Sequence, residues 1–232
     1  MLICVTNRKL CQDDFLLRLD RIAAQHPYAV ILREKDLSED EYEELAAKCL
    51  AICKSHGVPM QVHNWVDVAR RIGCDGIHLS FRTFMEYVKK DGESSGPCGF
   101  SDAVRGERIA ACRENDALRY QESQKNSENV FSGFNRIGVS LHSAEEAGAL
   151  QGTPATYIQA GHIFATDCKR GVPPRGLNFL REVCRATDLP VFAIGGITPE
   201  RYPAALEAGA AGVCVMSGLM ECRNVEEYMG RF

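Results

Sequence analysis

The feature that most limits this fold is a regular alternation of eight short apolar runs with longer amphipathic ones. The runs are "LICVTN" (2–7), "YAVILRE" (28–34), "PMQVHN" (59–64), "GIHLS" (76–80), "RIGVSLHS" (136–143), "TYIQAGHIFAT" (156–166), "PVFAIGG" (190–196) and "GVCVMSG" (212–218). They are hydrophobic almost throughout, the pattern of strands buried on both faces in a parallel sheet covered by helices. Helical segments separate them. "SEDEYEELAAKCLAICKSHG" opens with Ser38 and carries Glu41 three residues on, a capping box, and stops at Gly57. "VDVARRIG", "SAEEAGALQG", "LNFLREVCRATD" and "PERYPAALEAGA" repeat the theme. Eight such units in 232 residues predict one closed (β/α)8 (TIM) barrel in a single domain, since such barrels run to ~250 residues. An open doubly wound sheet is the rival.

One spacing breaks the rhythm. Run four ends near Ser80 and run five begins near Arg136. The excess, at about 91–133, is rich in Gly, Ser, Asn and charge and is expected to form an irregular, exposed excursion that supplies little core. A formal charge of −4 with no basic run gives no reason to expect nucleic acid as a partner. No apolar run approaches the about 20 residues that span a bilayer, so no membrane partner is expected. The eleven cysteines do not suggest a disulfide scaffold, because Met1 leads straight into a strand with no secretory leader and Cys4, Cys74 and Cys214 sit within apolar runs. Cys49 and Cys53 have helical spacing, with no second metal-ligand pair following. These features fit free thiols in a reducing cytoplasm.

Chemistry in such a barrel collects where strands end. Runs seven and eight end in Gly195–Gly196 and Ser217–Gly218, small residues whose amides can approach a phosphate at the two loops that commonly cradle one. Run two ends in Arg33, Glu34 and Lys35, either a solvated charge run or an anion clamp. His142 closes run five; an imidazole can exchange protons near neutrality. His63, His78 and His162 also lie near strand ends, each as easily structural as chemical. Run six leads into Thr166, Asp167, Cys168 and Lys169, a hydroxyl and an ammonium suited to a phosphate monoester. A nucleophilic Cys168 is the weaker reading, because no histidine is locally placed to activate it.

At these residues the chain resembles the thiamine phosphate synthase/TenI family. "ILREKDLSEDEY", "VHNWVDVARRIGCDGIHLS", "IGVSLHSAEEA", "YIQAGHIFATDCKRGVPPRGL", "PVFAIGGITPERY" and "GVCVMSG" match its motifs in order, leaving only 91–133 without a counterpart. The family has two branches: a magnesium-dependent synthase joining a pyrimidine pyrophosphate to a thiazole phosphate, and a TenI-type tautomerase that aromatises a thiazole carboxylate phosphate. Synthases usually carry Gln where this chain has Ile31, and Asn-Asp where it has His63 and Asn64. They carry a second acid after "HLG", whereas "HLSFRTF" has none. Magnesium wants hard, preferably charged oxygens. Thr-Asp-Cys-Lys resembles the TenI-type version of its motif. The resemblance thus implies a cytoplasmic tautomerase that needs no cofactor, with magnesium only under the synthase alternative. His142 would be the proton-transfer base. Arg33 and Lys35, His63 and Asn64, Thr166 and Lys169, Gly195 and Gly196, and Ser217 and Gly218 would bind a small-molecule thiazole phosphate. It also implies a homo-oligomer. A barrel that binds a thiamine precursor and regulates without catalysis is the third reading.

Overall fold

Every apolar run becomes a strand: β1 Leu2–Val5, β2 Ala29–Leu32, β3 Met60–His63, β4 Gly76–Ser80, β5 Arg136–Leu141, β6 Tyr157–Gly161, β7 Val191–Ile194 and β8 Gly212–Val215. The computed structural model describes residues 1–94 and 129–232. Each strand pairs in parallel with the next, and β8 returns to β1 through Ile3 opposite Cys214, closing the ring. Successive residues face opposite sides of a strand. Ile3, Val5, Ala29, Ile31, Tyr157, Phe192 and Cys214 therefore pack together inside the barrel. Their alternates, such as Cys4, Val30, Leu32, Met60, Val62, Ile77 and Leu79, join the helices in the larger outer core. Each large side chain fully enclosed there contributes roughly 1.5–3 kcal/mol.

The helices are α1 Phe15–Ala23, α2 Glu39–Ser55, α3 Val66–Arg71, α4 Phe81–Ser94, α5 Ala144–Gly148, α6 Gly176–Arg185, α7 Tyr202–Glu207, α8 Ser217–Glu221 and α9 Val225–Met229. Helix α2 carries the expected capping box: the Ser38 amide donates to Glu41 Oε2 at 2.9 Å while Ser38 Oγ accepts from the Glu41 amide. Its inward face is Tyr42, Ala46, Cys49, Leu50 and Cys53, which makes the cysteine spacing one of packing. Helix α1 is missing from the pattern read above because its inward face includes a charge. Arg18 is 3% exposed, held by Asp13 at 2.9 Å and by the Cys222 carbonyl at 2.6 Å.

Except for β4 the strands are shorter than their runs, and the surplus residues at their C-terminal ends lead into the loops over the barrel mouth. Gly195 and Gly196 leave the β7 ladder with φ of +96° and +64°. Beyond Gly161 the chain keeps one edge on β7, through Ile163 N–H to the Ile194 carbonyl at 2.8 Å. Its other edge turns to its own loop, where the His162 and Ile163 carbonyls accept from Arg175 and Gly176. Most of the expected 91–133 excursion, residues 95–128, lies outside the described residues. At its end Phe131, 4% exposed, packs its ring 5.0 Å from Phe84 and joins the core. No helix among the described residues is long and apolar enough to cross a membrane.

Candidate active site

A cavity of about 560 Å³ opens at the C-terminal ends of the strands. It gathers Arg33 and Lys35 from the β2 end, His63 and Asn64 from β3, His142 from β5, Thr166 and Lys169 from the loop after β6, Gly195 and Gly196 from β7, and Ser217 from β8. Gly218 is not part of this wall; it lines an adjoining groove of about 420 Å³ that shares Thr166, Cys168, Gly196, Ile197 and Ser217 with the main cavity.

The four strand-end histidines have different environments. His142 Nδ1 lies 3.0 Å from the Gly161 carbonyl. A carbonyl only accepts, so Nδ1 carries a proton, and in the neutral ring Nε2 keeps a lone pair. The His142 amide is also fixed, donating to Glu146 Oε2 at 2.6 Å. His162 spends its Nε2 proton on the Val172 carbonyl at 3.3 Å, a loop brace. His63 is pulled down to about 3, mainly by burial and then by Arg33 and Lys35, and is a neutral wall of the pocket near pH 7. His78, 1% exposed, is likewise held well below the ordinary histidine range, first by burial.

Strand alternation resolves the Arg33-Glu34-Lys35 run. Arg33 and Lys35 face the cavity. Glu34, 4% exposed, turns away and accepts from Thr6 Oγ1 at 2.7 Å and from the Arg8 amide at 3.0 Å. The Thr6 hydroxyl in turn accepts from the Arg33 amide at 3.0 Å, so a buried carboxylate braces the strand end that presents the cations. Arg33 is lowered by its burial, and Lys35 by Arg33 first, then burial and Lys169. Arg33 and Lys169 both disfavour the charge on Lys35, and an anionic ligand in the cavity would relieve that. Tyr42 on α2 sets the same region: its hydroxyl donates to the Leu32 carbonyl at 2.5 Å and accepts from the His63 amide at 3.1 Å.

In the Thr-Asp-Cys-Lys segment, Thr166, Cys168 and Lys169 line the cavity, while Asp167 pairs with Arg170 at 3.0 Å. The glycines after β7 have a backbone reason as well as a position beside the cavity. A Cβ on Gly195 would strike His162, and one on Gly196 would strike the Ala165 carbonyl and come 2.9 Å from Phe164 Cβ.

Several wall residues escaped the reading of strand ends: Asn7, Ser80, Ser140 and Gln159. Ser140 and Gln159 lie two residues before His142 and Gly161, on the same inward phase. A polar residue at that phase of an apolar run was the available signal.

Magnesium, raised by the resemblance, can be tested against these donors. Magnesium is ordinarily held by carboxylate oxygens along with water and phosphate. Among the described residues the cavity wall has no Asp or Glu, and no group of three or more His, Cys, Asp and Glu is placed to hold a metal ion. Asn64 and Ser80 occupy the β3 and β4 ends instead. These residues do not fit a magnesium ion held by the protein.

Comparison with known proteins identifies the family. The family model described as thiamine monophosphate synthase (TMP-TENI) matches residues 2–86 and 122–219. The thiamine-phosphate synthase of Lysinibacillus sphaericus is 31% identical over 243 residues, covering 97% of this chain and 96% of that protein. The putative thiamine-phosphate synthase 2 of Aquifex aeolicus is 28% identical over 220 residues, covering 95% and 97%. Among solved structures, the thiamine phosphate pyrophosphorylase from Pyrococcus furiosus superposes with a TM-score of 0.69 at 22% identity over 99% of this chain and 92% of that one, a likeness of fold. Six ordered motifs, a closed eight-stranded barrel and a family match over most of its length place this chain in the thiamine monophosphate synthase/TenI family.

Proposed function

We propose that the cavity binds a thiazole phosphate of thiamine biosynthesis and moves a proton on its ring, as a TenI-type tautomerase. The observation that carries this reading is His142: its Nδ1 proton is committed to the Gly161 carbonyl, leaving a basic Nε2 on a residue of the cavity wall. In the proposed step, Nε2 takes a proton from a saturated ring carbon of the substrate and returns it to an exocyclic carbon whose double bond moves into the ring, so substrate and product are isomers and nothing else is consumed. A placed acid–base group of this kind typically contributes about 10²–10⁴-fold. The phosphate would rest by Gly195, Gly196 and Ser217, with Thr166 and Lys169 beside it, and Arg33 and Lys35 would meet a second anionic group. His63 and Asn64 would border the ring. No cofactor is needed for this step.

The second reading is the condensation of a pyrimidine pyrophosphate with a thiazole phosphate. The names of the relatives favour it: the one from Lysinibacillus sphaericus is a thiamine-phosphate synthase. On names alone it is the better supported. Against it stands the cavity wall, which among the described residues offers no carboxylate for the magnesium that a pyrophosphate leaving group normally requires.

The experiment is to give the purified protein each substrate set in turn. Aromatisation of the thiazole carboxylate phosphate is followed by its ultraviolet spectrum. Thiamine phosphate formation is followed by chromatography with and without magnesium. Isomerisation with no condensation supports the tautomerase. Robust magnesium-dependent condensation establishes the synthase instead. Tight binding without turnover in either assay would make the barrel a non-catalytic binding module.

A further inference from the structure

Below the cavity five polar side chains form one chain across the barrel interior. Gln61 Oε1 lies 2.7 Å from the Tyr157 hydroxyl. That hydroxyl is 2.8 Å from His78 Nδ1, and His78 Nε2 is 2.6 Å from Ser140 Oγ. Ser140 Oγ is 2.8 Å from Gln159 Oε1. Gln61 and Gln159 are 0% and 7% exposed; Gln61 Nε2 has no hydrogen-bond partner, and the Gln159 amide lies beside the Cys214 thiol. Gly138 leaves room for this arrangement, since a Cβ there would strike the Tyr157 hydroxyl and His78.

With both glutamine oxygens accepting, Tyr157 and Ser140 each donate to a glutamine, so both nitrogens of His78 must donate. That requires an imidazolium. Burial disfavours it, as do His63 and Arg33 nearby, and the ring is neutral. One amide must therefore be turned end for end, which exchanges O and N at the same positions. Turning Gln61 lets its amide donate to Tyr157, Tyr157 to Nδ1, and Nε2–H to Ser140. The state of Gln159 then decides what Ser140 offers. If Gln159 accepts, the serine proton is spent inside the barrel and Ser140 shows the cavity a lone pair. If Gln159 is turned and donates, the serine proton is free to point into the cavity.

We propose that Ser140 is a specificity-determining residue that can accept from or donate to the ligand ring, and that Gln159 is the positioning residue whose amide orientation selects between the two. Such a wall can hold a heterocycle with a ring N–H and one with a bare ring nitrogen. The proposal rests on the reading that this cavity holds a thiazole phosphate, whichever reaction follows.

The test is calorimetry with two probes that share one phosphate arm: thiazole phosphate, with a bare ring nitrogen, and the matching thiazol-2-one phosphate, with a ring N–H. The wild type should bind both, with Kd values within about tenfold. Gln159→Met removes the acceptor for the serine proton, and the Kd ratio should move about five- to tenfold towards the bare-nitrogen probe, the size of one net hydrogen bond. Ser140→Ala should abolish that movement in the double variant. A merely structural role for Gln159 would weaken both probes together and leave the ratio unmoved, which overturns this proposal alone. A wild-type preference above about a hundredfold also overturns it. Failure of either probe to bind overturns the thiazole reading along with it.

Discussion

Gly196→Ala separates two reasons for a glycine at the barrel mouth. Were Gly196 there only to let an anion approach its amide, alanine would weaken phosphate binding and leave the fold intact. The structure argues otherwise. Gly196 sits at φ +64°, where an L side chain costs roughly 1–2 kcal/mol. Its new Cβ would overlap the Ala165 carbonyl, a backbone atom that cannot swing aside, and crowd Phe164 Cβ at 2.9 Å. Overpacking of this kind adds about 1–3 kcal/mol. The sum, about 2–5 kcal/mol, corresponds to a fall in Tm of roughly 5–20 °C for a domain of this size. Because the displaced partner belongs to the loop carrying Thr166 and Lys169, phosphate affinity should fall as well. The assay is calorimetric unfolding of both proteins, followed by titration with thiazole phosphate below the lower Tm. An unchanged Tm with lost phosphate binding would refute the steric argument and restore anion approach as the reason for the glycine.

His142→Gln should cut isomerisation by about 10²–10⁴-fold while changing product affinity little, checked by single-turnover kinetics beside calorimetry; equal loss of both would make His142 a binding contact. Tyr42→Phe removes the hydroxyl that bonds both the Leu32 carbonyl and the His63 amide. It should cost about 1–3 kcal/mol in denaturant unfolding and raise KM more than it lowers kcat, since Arg33 and His63 lose their brace. His63 and His78 are depressed in the folded state, so the unfolded chain binds more protons once the pH drops below ~6.5. Stability is therefore greatest above that pH and falls by about 1.4 kcal/mol per unit for each ring as the solution is acidified towards pH 4, measurable as a declining urea midpoint. His63→Gln should flatten that slope, and an unchanged slope would show that His63 is not buried as a neutral ring.

The barrel was legible because strand burial leaves a mark on composition: eight runs enclosed on both faces must be apolar almost throughout, and no solvated segment mimics that. The site was legible only where chemistry coincides with a strand end. His142 and Arg33 directly follow strands β5 and β2 and line the cavity, while Lys169 lines it from the loop beyond β6. What sequence could not supply is direction. Arg33, Glu34 and Lys35 read as one charge cluster, yet the two-residue period of a strand sends the cations inward to the ligand and the acid to Thr6 and Arg8. The same period hides Gln61 and Gln159, which look like isolated polar interruptions of apolar runs until closure of the barrel brings β3, β4, β5 and β6 around one space. Their partners, Tyr157 and His78, are 96 residues from Gln61 and 79 residues from Tyr157 respectively along the chain. No local pattern encodes a hydrogen bond across such a separation. A polar residue on the inward phase of a closed barrel has nowhere to find water, so it must find another strand's polar residue or a ligand. Where such a residue keeps a polar atom unmatched after pairing, as Gln61 does in either orientation of its amide, the space around it is the place to look for what it is matched to.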